Sequence, residues 1–267
     1  MTQPNAAPPE PGRPPSDKLV GADRTLAVLT ALAGYAEGVS LEEITLAVGS
    51  PKPTVHRALG ALRRAGLASQ DGRGRYLLGD EFLRLAFTHH EGRPDNVRVR
   101  GTLEALAERY TETTHYAVLD DGPDRCDVVY RAKVDPSQGA VRLTSVVGGR
   151  NPAHGTAVGK LLLSYRLRDR AAVADWVRGR DLVRRTDRTR TTVDELHADL
   201  ERIRDCGFGV DDQENEPGIN CLAVPAFLTG STVPSGAISI SALAYRTPLA
   251  SLVGDIDAIR AIVEGRR

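Results

Sequence analysis

The sequence predicts an α+β fold in two parts, a small helical domain followed by a larger domain of mixed strands and helices. The length of 267 residues exceeds that of one ordinary domain, which favours two globular units. Near the N-terminus, short amphipathic segments precede a glycine-rich hairpin, and farther along strand-like and helix-like segments alternate. Hydrophobic residues make up 41% of the chain and charged residues 26%, so both units can bury a core.

Composition narrows the class of protein further. The stretch 1–17 is rich in proline and poor in large apolar residues, which predicts a disordered tail. There is no run of about 18 apolar residues and no secretory signal, so we expect a cytoplasmic chain with no membrane partner. Lys plus Arg and Asp plus Glu balance at 35 each, so any basic surface for nucleic acid has to be local. Cys126, Cys206 and Cys221 are widely spaced, which favours reduced thiols over disulfides or a zinc site.

Two helices are predicted at the start of the folded chain. The first runs from Ala22 to near Gly34, because leucines recur there at the spacing of an amphipathic helix. The second begins after Ser40, whose hydroxyl and the carboxylate of Glu43 have the spacing of a capping box. We expect this helix to end near Val48.

A third helix and a hairpin follow. Pro53 suits the first turn of the helix, because its missing amide is not needed there, and Val55, Leu59 and Leu62 share its inward face. The extended segments 67–70 and 75–78 flank a glycine-rich, basic tip. Three helices followed by a hairpin is the order of a winged helix-turn-helix domain.

Basic and short polar side chains cluster where such a domain meets DNA. The start of the third helix offers groups for base edges and phosphates, and the end of that helix and the hairpin offer arginines for the flanking phosphates. An ordinary solvated surface on an interaction module is the alternative. The candidate DNA-binding residues are Lys52, Thr54, His56, Arg57, Arg63, Arg64, Arg73 and Arg75.

The rest of the chain is predicted to form a linker and a domain of mixed strands and helices. A helix is predicted over 80–87, and the polar stretch 89–96 is typical of a hinge. Periodicity then predicts strands at 116–119, 128–134, 141–147, 220–227 and 237–243, and helices around 103–107, 159–165, 171–177, 193–204 and 249–263.

Over 23–264 the chain resembles the IclR-type bacterial transcription regulators. The resemblance depends on segments whose order and spacing agree throughout: Pro53 to Leu59, Gly66-Leu67, Tyr76 to Gly79, Gly148 to Leu163, Gly207-Phe208, Gly218 to Pro225, and Ala237 to Ser241. It implies a winged helix domain (18–80), a linker helix and hinge (81–98) and a GAF-like effector-binding domain (99–267). It also implies dimers or tetramers that bind a pseudo-palindromic operator on double-stranded DNA, with repression as the commoner outcome.

The resemblance also implies a pocket for a small effector, often a carboxylate. Matched to this chain, the pocket residues are Thr156, Ala157, Val158, Asp211, Cys221, Ser239, Ile240 and Ser241. A helix start after Gly155 favours an anion there, and Ser239 and Ser241 share one face of a strand. Ala157 and Val158 stand where a smaller pair can occur, and residues 229–235 form an insertion, so a ligand of the glyoxylate or pyruvate type is disfavoured.

Two other functions remain open from the residues alone. Cys221, His154 and Asp211 supply the residue types of a thiol enzyme, but an apolar strand around the cysteine argues against a reactive thiolate, so we expect no enzymatic activity. A DNA-binding protein that responds to no ligand is the second alternative. No metal or cofactor is predicted, and Lys160 is expected to be solvated or salt-bridged.

Overall fold

The computed structural model describes residues 21–92, 94–120, 122, 126–137 and 143–265. The chain divides into two compact units, one that ends at Gly92 and one that comprises the chain after it. The tail expected over 1–17 lies outside the described residues. None of the helices in the described ranges has both the length and the apolar character that crossing a bilayer requires.

The first unit has the predicted order of helices and hairpin. Its elements are α1 (Ala22–Leu32), α2 (Leu41–Val48), α3 (Lys52–Arg64), β1 (Ala68–Gln70), β2 (Tyr76–Leu78) and α4 (Asp80–Glu91). The Ser40 hydroxyl accepts the Glu43 amide at 3.2 Å, and the Glu43 carboxylate accepts the Ser40 amide at 2.8 Å, which confirms the capping box. The hairpin strands pair antiparallel, with Gln70 opposite Tyr76.

One apolar core holds the first unit together. Val28 from α1, Ile44 from α2, and Val55, Leu59 and Leu62 from α3 are each less than 5% exposed. The spacing of the α3 residues places them on a single stripe of that helix. The hairpin closes the core on the side where α3 ends.

The polar loop expected over 89–96 is shorter than predicted. Helix α4 continues to Glu91, and the next helix begins at Pro94. Most of the stretch that indicated a loop is helical, and a proline at the first position of a helix does not interrupt it. Residue 93 is outside the described part of the chain.

The second unit is an antiparallel sheet with helices on both faces. Its strands are β3 (Thr113–Leu119), β4 (Asp127–Val134), β5 (Arg150–Pro152), β6 (Gly209–Asp212), β7 (Ile219–Ala226) and β8 (Gly236–Leu243). Its helices are α5 (Pro94–Tyr110), α6 (Ala157–Arg166), α7 (Arg170–Val177), α8 (Val193–Cys206), α9 (Leu249–Gly254) and α10 (Ile256–Val263). Among the described residues the strand order is β5-β4-β3-β8-β7-β6.

Two apolar cores lie on opposite faces of this sheet. One packs α5, α9 and α10 against the sheet and includes Leu103, Ile240 and Leu252. The other packs α6, α7 and α8 against the opposite face and includes Leu161 and Leu200. Alternation along the strands sends successive side chains to the two cores.

The strand expected over 141–147 is wrong where it can be compared. Residues 141–142 lie outside the described part, and 143–147 form no strand. The carbonyls of Leu143 and Ser145 accept hydrogen bonds from the Lys133 ammonium, at 2.9 Å each, instead of joining a ladder. Val146 is 62% exposed and Val147 48%, so these two valines, which suggested a buried strand, lie at the surface of a loop.

Two smaller differences concern short elements. The closing helix expected over 249–263 is divided into α9 and α10 at Asp255, whose carboxylate accepts the Tyr110 hydroxyl at 3.2 Å. The edge strand β6 was missed because its four residues, with two aspartates, carry little apolar pattern.

We predict opposite effects for alanine at two helical glycines. A Cβ at Gly159 would lie 2.2 Å from the Ala153 carbonyl oxygen, so Gly159→Ala must force α6 away from the preceding turn. We expect the free energy of unfolding to fall by about 3 kcal/mol or more. The matched control is Gly101→Ala in α5, where no atom lies within 4 Å, and stability should rise by about 0.5–1 kcal/mol. Urea unfolding measures both, and equal effects would contradict the close packing at Gly159.

Candidate nucleic-acid interface and candidate ligand cavity

Helix α3 has one buried face and one basic face. Val55, Ala58, Leu59 and Leu62 turn inward. The remaining positions present most of the predicted DNA-binding side chains to solvent. The exposed residues of this set are Lys52, His56, Arg57, Arg63 and Arg64, and Thr54 is half-buried.

The predicted DNA-binding residues differ in how they are engaged. Lys52 forms a salt bridge with Glu42, and Arg63 donates to the Gln70 side chain at 2.8 Å. The guanidinium of half-buried Arg75 donates to the Gly38 carbonyl and so attaches the hairpin to the turn before α2. Within the described residues, the side chains of His56, Arg57, Arg64 and Arg73 form no hydrogen bond or salt bridge.

The second unit contains a cavity of about 230 Å³ beside its sheet, open to solvent on one side. The wall comprises strand residues, the start of α6, the loop 143–149 and the turn after β6. Seven of the eight effector residues expected from the sequence line it: Thr156, Ala157, Val158, Asp211, Cys221, Ser239 and Ser241. Most of its other side chains are polar.

Strand β8 carries two of the residues that line the cavity as predicted and the one predicted residue that does not. Ser239 and Ser241 point to the cavity face, as their spacing of two predicts. Ile240 does not line the cavity, because it faces the opposite side of the sheet and packs in the core with Leu222 and Leu103. The prediction of Ile240 as a pocket residue is therefore wrong.

Asp211 lines the cavity and also holds its wall in shape. Its Oδ1 accepts the amides of Glu214 at 2.7 Å and Asn215 at 3.3 Å, which fixes the turn after β6. Burial raises the pKa of the Asp211 carboxyl to about 7. Asp211 therefore caps this turn and lines the cavity at the same time.

A chain of hydrogen bonds crosses the cavity floor. The Cys221 thiol donates to the Ser241 hydroxyl at 3.1 Å, which lies 3.4 Å from His115 Nδ1. The other ring nitrogen, Nε2, lies 2.8 Å from the Ser145 hydroxyl. Burial, with the charge of Lys133, lowers the pKa of His115 to about 3, so the ring is neutral. Burial also raises the pKa of the Cys221 thiol well above its usual value.

Two residues singled out from the sequence lie outside the cavity wall. His154 Nε2 lies 3.1 Å from the Val183 carbonyl, so the ring is engaged with the protein backbone. Lys160 is fully buried, and its ammonium donates to Asp199 at 2.8 Å and to Glu214 at 2.5 Å. Burial raises the pKa of Glu214 although the charge of Lys160 opposes this.

Sequence reasoning missed several cavity residues. His115 lies on β3 opposite Ser239, so cross-strand register would have placed both on one face had the pairing been known. Tyr130, Asn151, Arg185 and Asn215 also line the cavity, but they come from four separate segments that no local pattern connects. Among the described residues, no group of three or more metal-ligating side chains is found.

A winged helix with an exposed basic face and a separate domain that encloses a polar cavity define the class of DNA-binding transcription regulators with an effector domain. Two family models match, the IclR helix-turn-helix domain over 21–72 and the bacterial transcriptional regulator IclR C-terminal domain over 96–263. The chain belongs to the IclR family.

Individual relatives agree with this assignment. The chain is 32% identical over 223 residues to the HTH-type transcriptional regulator KdgR of Escherichia coli, covering 82% of this chain and 80% of that protein. The crystal structure of a transcriptional regulator from Rhodococcus sp. RHA1 is similar at a TM-score of 0.75 and 27% identity, covering 91% of this chain and 94% of that one. An IclR homologue from Microbacterium hydrocarbonoxydans complexed with 4-hydroxybenzoate shares the fold at a TM-score of 0.70 and 20% identity, covering 91% and 99%.

The raised pKa of Asp211 predicts a pH-dependent stability. Because the carboxyl ionises near 7 in the folded protein and near 3.8 when free, the folded state holds the extra proton between these values. Its contribution to the free energy of unfolding therefore falls as the pH rises through this window. The asparagine in Asp211→Asn cannot titrate. As the pH rises from about 4 to about 8, the free energy of unfolding of the variant should therefore increase relative to that of the parent by on the order of 3 kcal/mol.

Urea unfolding of both proteins across this range measures the difference. The same comparison for Asp212→Asn, a half-exposed neighbour, controls for the loss of one carboxylate. Parallel stability profiles for Asp211→Asn and the parent would contradict the buried, proton-holding carboxyl.

Proposed function

We propose that this protein is a cytoplasmic repressor that binds a pseudo-palindromic operator as a homo-oligomer and releases it in response to a small organic acid. In this proposal residues 18–80 bind DNA, 81–98 connect the domains and 99–267 bind the effector. The observation that carries the proposal is the division of α3 into a buried apolar face and an exposed basic face. A helix of this kind fits the major groove, where its N-terminal side chains reach base edges.

The unengaged side chains of the first unit suit different parts of a DNA duplex. His56 and Arg57 lie in the first half of α3 and are placed to contact bases or adjacent phosphates. Arg64 at the end of α3 and Arg73 in the hairpin are suited to flanking phosphates. Arg75 is assigned a structural role instead, because its guanidinium holds the Gly38 carbonyl.

Exposed apolar side chains support self-association. Helix α4 carries Leu83 at 53%, Leu85 at 48% and Phe87 at 60% exposure. Leu83 and Phe87 are four residues apart and share one face of the helix, and exposed apolar surface of this kind is typical of protein contacts rather than of a solvated helix. A second copy of the chain would give the two reading heads that a pseudo-palindromic operator requires.

The cavity supports a regulatory ligand rather than a reaction. An effector changes DNA affinity only as far as it binds two arrangements of the oligomer differently. The thiol-enzyme alternative finds little support, because the Cys221 thiol has a raised pKa and His154 is not part of the cavity wall. We therefore propose that the domain binds its ligand without turnover.

We predict that Arg57→Ala weakens specific binding to the DNA upstream of the protein's own gene by about tenfold. The salt dependence of binding should also become shallower by about 0.9 in the log–log slope if Arg57 contacts one phosphate. Gel-shift titrations at several salt concentrations measure both quantities. Arg178→Ala is the matched control, because that arginine is 79% exposed in the second unit and pairs with Asp175 of α7.

Binding of random DNA as tight as binding of the upstream region would contradict the regulator proposal. Equal effects of Arg57→Ala and Arg178→Ala would contradict the assignment of the interface to α3.

A further inference from the structure

The cavity wall contains polar groups that the protein leaves unpaired. The Ser239 hydroxyl, in a residue only 3% exposed, has no hydrogen-bond partner within the described ranges. There too, Asp211 uses Oδ1 for two backbone amides and leaves Oδ2 without a partner. Asn215 has a buried Oδ1 with no partner. Buried groups of this kind require polar atoms of a ligand or water.

One cation at the cavity is also uncommitted. Arg185 is exposed, and its Nε makes a long contact of 3.4 Å with the Asn215 carbonyl. No carboxylate of the described residues forms a salt bridge with it. Arg150, the other arginine of the wall, is already paired with Asp120 at 2.9 Å. Glu216 and Asp211 are the acidic residues of the wall. The carboxylate of Glu216 is exposed, so solvent screens its charge.

The cavity volume limits the size of the ligand. A cavity of about 150 Å³ admits benzene, so the 230 Å³ here accommodates about nine non-hydrogen atoms. The cavity opens to solvent, which allows a slightly longer molecule to extend outward.

We propose that the cavity takes a linear, polyhydroxylated monocarboxylic acid of about four or five carbons, with its carboxylate at Arg185. Its hydroxyl groups hydrogen-bond to Ser239, Asp211 and Asn215. This inference rests on the proposed function, in which the cavity holds the effector. It names the chemical class of that effector from the groups left unpaired.

The distribution of charge fixes the direction of the ligand. A carboxylate next to Asp211 would meet a second acidic group in a buried environment, which is unfavourable. Arg185 is the one unpaired cation of the described wall. The wall can therefore pair the carboxylate of a monocarboxylic acid, but it has no cation for the second carboxylate of a dicarboxylic acid. The hydroxyl end therefore faces the sheet.

An unsubstituted aromatic acid fits this wall poorly. Its ring would cover Ser239, Asp211 and Asn215 without pairing them, and a buried polar group left unpaired costs about 1–3 kcal/mol. Sites built to hydrogen-bond hydroxyl groups reject analogues that lack them far more strongly than apolar pockets reject an extra hydroxyl. The rings of His115 and Tyr130 already pack against each other at 4.8 Å and leave no slot between them.

The test is isothermal titration calorimetry of the full-length protein with four probes: D-erythronate, D-xylonate, xylitol and benzoate. Xylitol keeps the hydroxyl groups and lacks the carboxylate, and benzoate has the reverse. We expect at least one of the two aldonates to bind about tenfold or more tightly than xylitol and benzoate.

Substitutions in the cavity wall test which residue contacts the carboxylate of the ligand and which contacts its hydroxyl groups. Arg185→Gln should weaken aldonate binding about tenfold and leave xylitol unchanged, and Arg184→Gln is its control because Arg184 bonds Thr191 outside the cavity. Ser239→Ala should weaken the aldonates and tighten benzoate, because it removes a hydroxyl that the aldonates pair and that benzoate leaves unpaired. Its control is Ser164→Ala, a buried serine that bonds the Leu161 carbonyl away from the cavity.

Benzoate binding as tight as that of the aldonates, no binding of either aldonate, or unchanged aldonate binding by Arg185→Gln would each overturn the inference. The gel shift without ligand separates this failure from that of the proposed function. Specific DNA binding without aldonate binding would contradict only the proposed class of ligand. Aldonate binding without specific DNA binding would contradict the proposal that the protein is a transcription regulator.

Discussion

The architecture of the second unit depends on the pairing of one buried ammonium group. Lys160 has no exposed surface, and its charge is balanced by Asp199 on α8 and by Glu214 in the turn after β6. A buried charge without a partner costs several kcal/mol, so these three segments are held together or the fold loses stability. Asp199 also lies 3.5 Å from Arg190, whose charge adds to the balance and helps keep the pKa of Asp199 below its usual value despite burial.

This pairing extends directly to the cavity. Glu214 accepts the Lys160 ammonium through its side chain, and its backbone amide donates to Asp211 on the cavity wall. Its carbonyl accepts the Thr189 hydroxyl at 2.6 Å, which attaches the preceding loop to the same turn. Because Lys160 follows Thr156–Val158 on α6, the start of that helix and the Asp211 turn are positioned together. The unpaired groups of the wall are thus held in place by packing and pairing outside it, as preorganised binding requires.

Local signals in the sequence were sufficient for much of this structure. The capping box at Ser40, the stripe through Val55 and the period-two spacing of Ser239 and Ser241 each follow from contacts between near neighbours in sequence. The predictions failed where the conformation of a segment depends on a residue that is distant in the sequence. Lys133 holds the carbonyls of the loop 143–149 that resembled a strand, and Arg185 and Asn215 reach the cavity through folding that no periodicity encodes.

A double-mutant cycle of Lys160→Met and Glu214→Gln tests whether the Lys160 pairing holds the segments of the cavity wall together. We expect each single variant to be destabilised, and the double variant to be less destabilised than the sum of the two by at least about 1 kcal/mol, because the first change already breaks the pair. Urea unfolding gives all the values. Additivity within about 0.5 kcal/mol would show that the two residues act independently and that their pairing does not hold the wall.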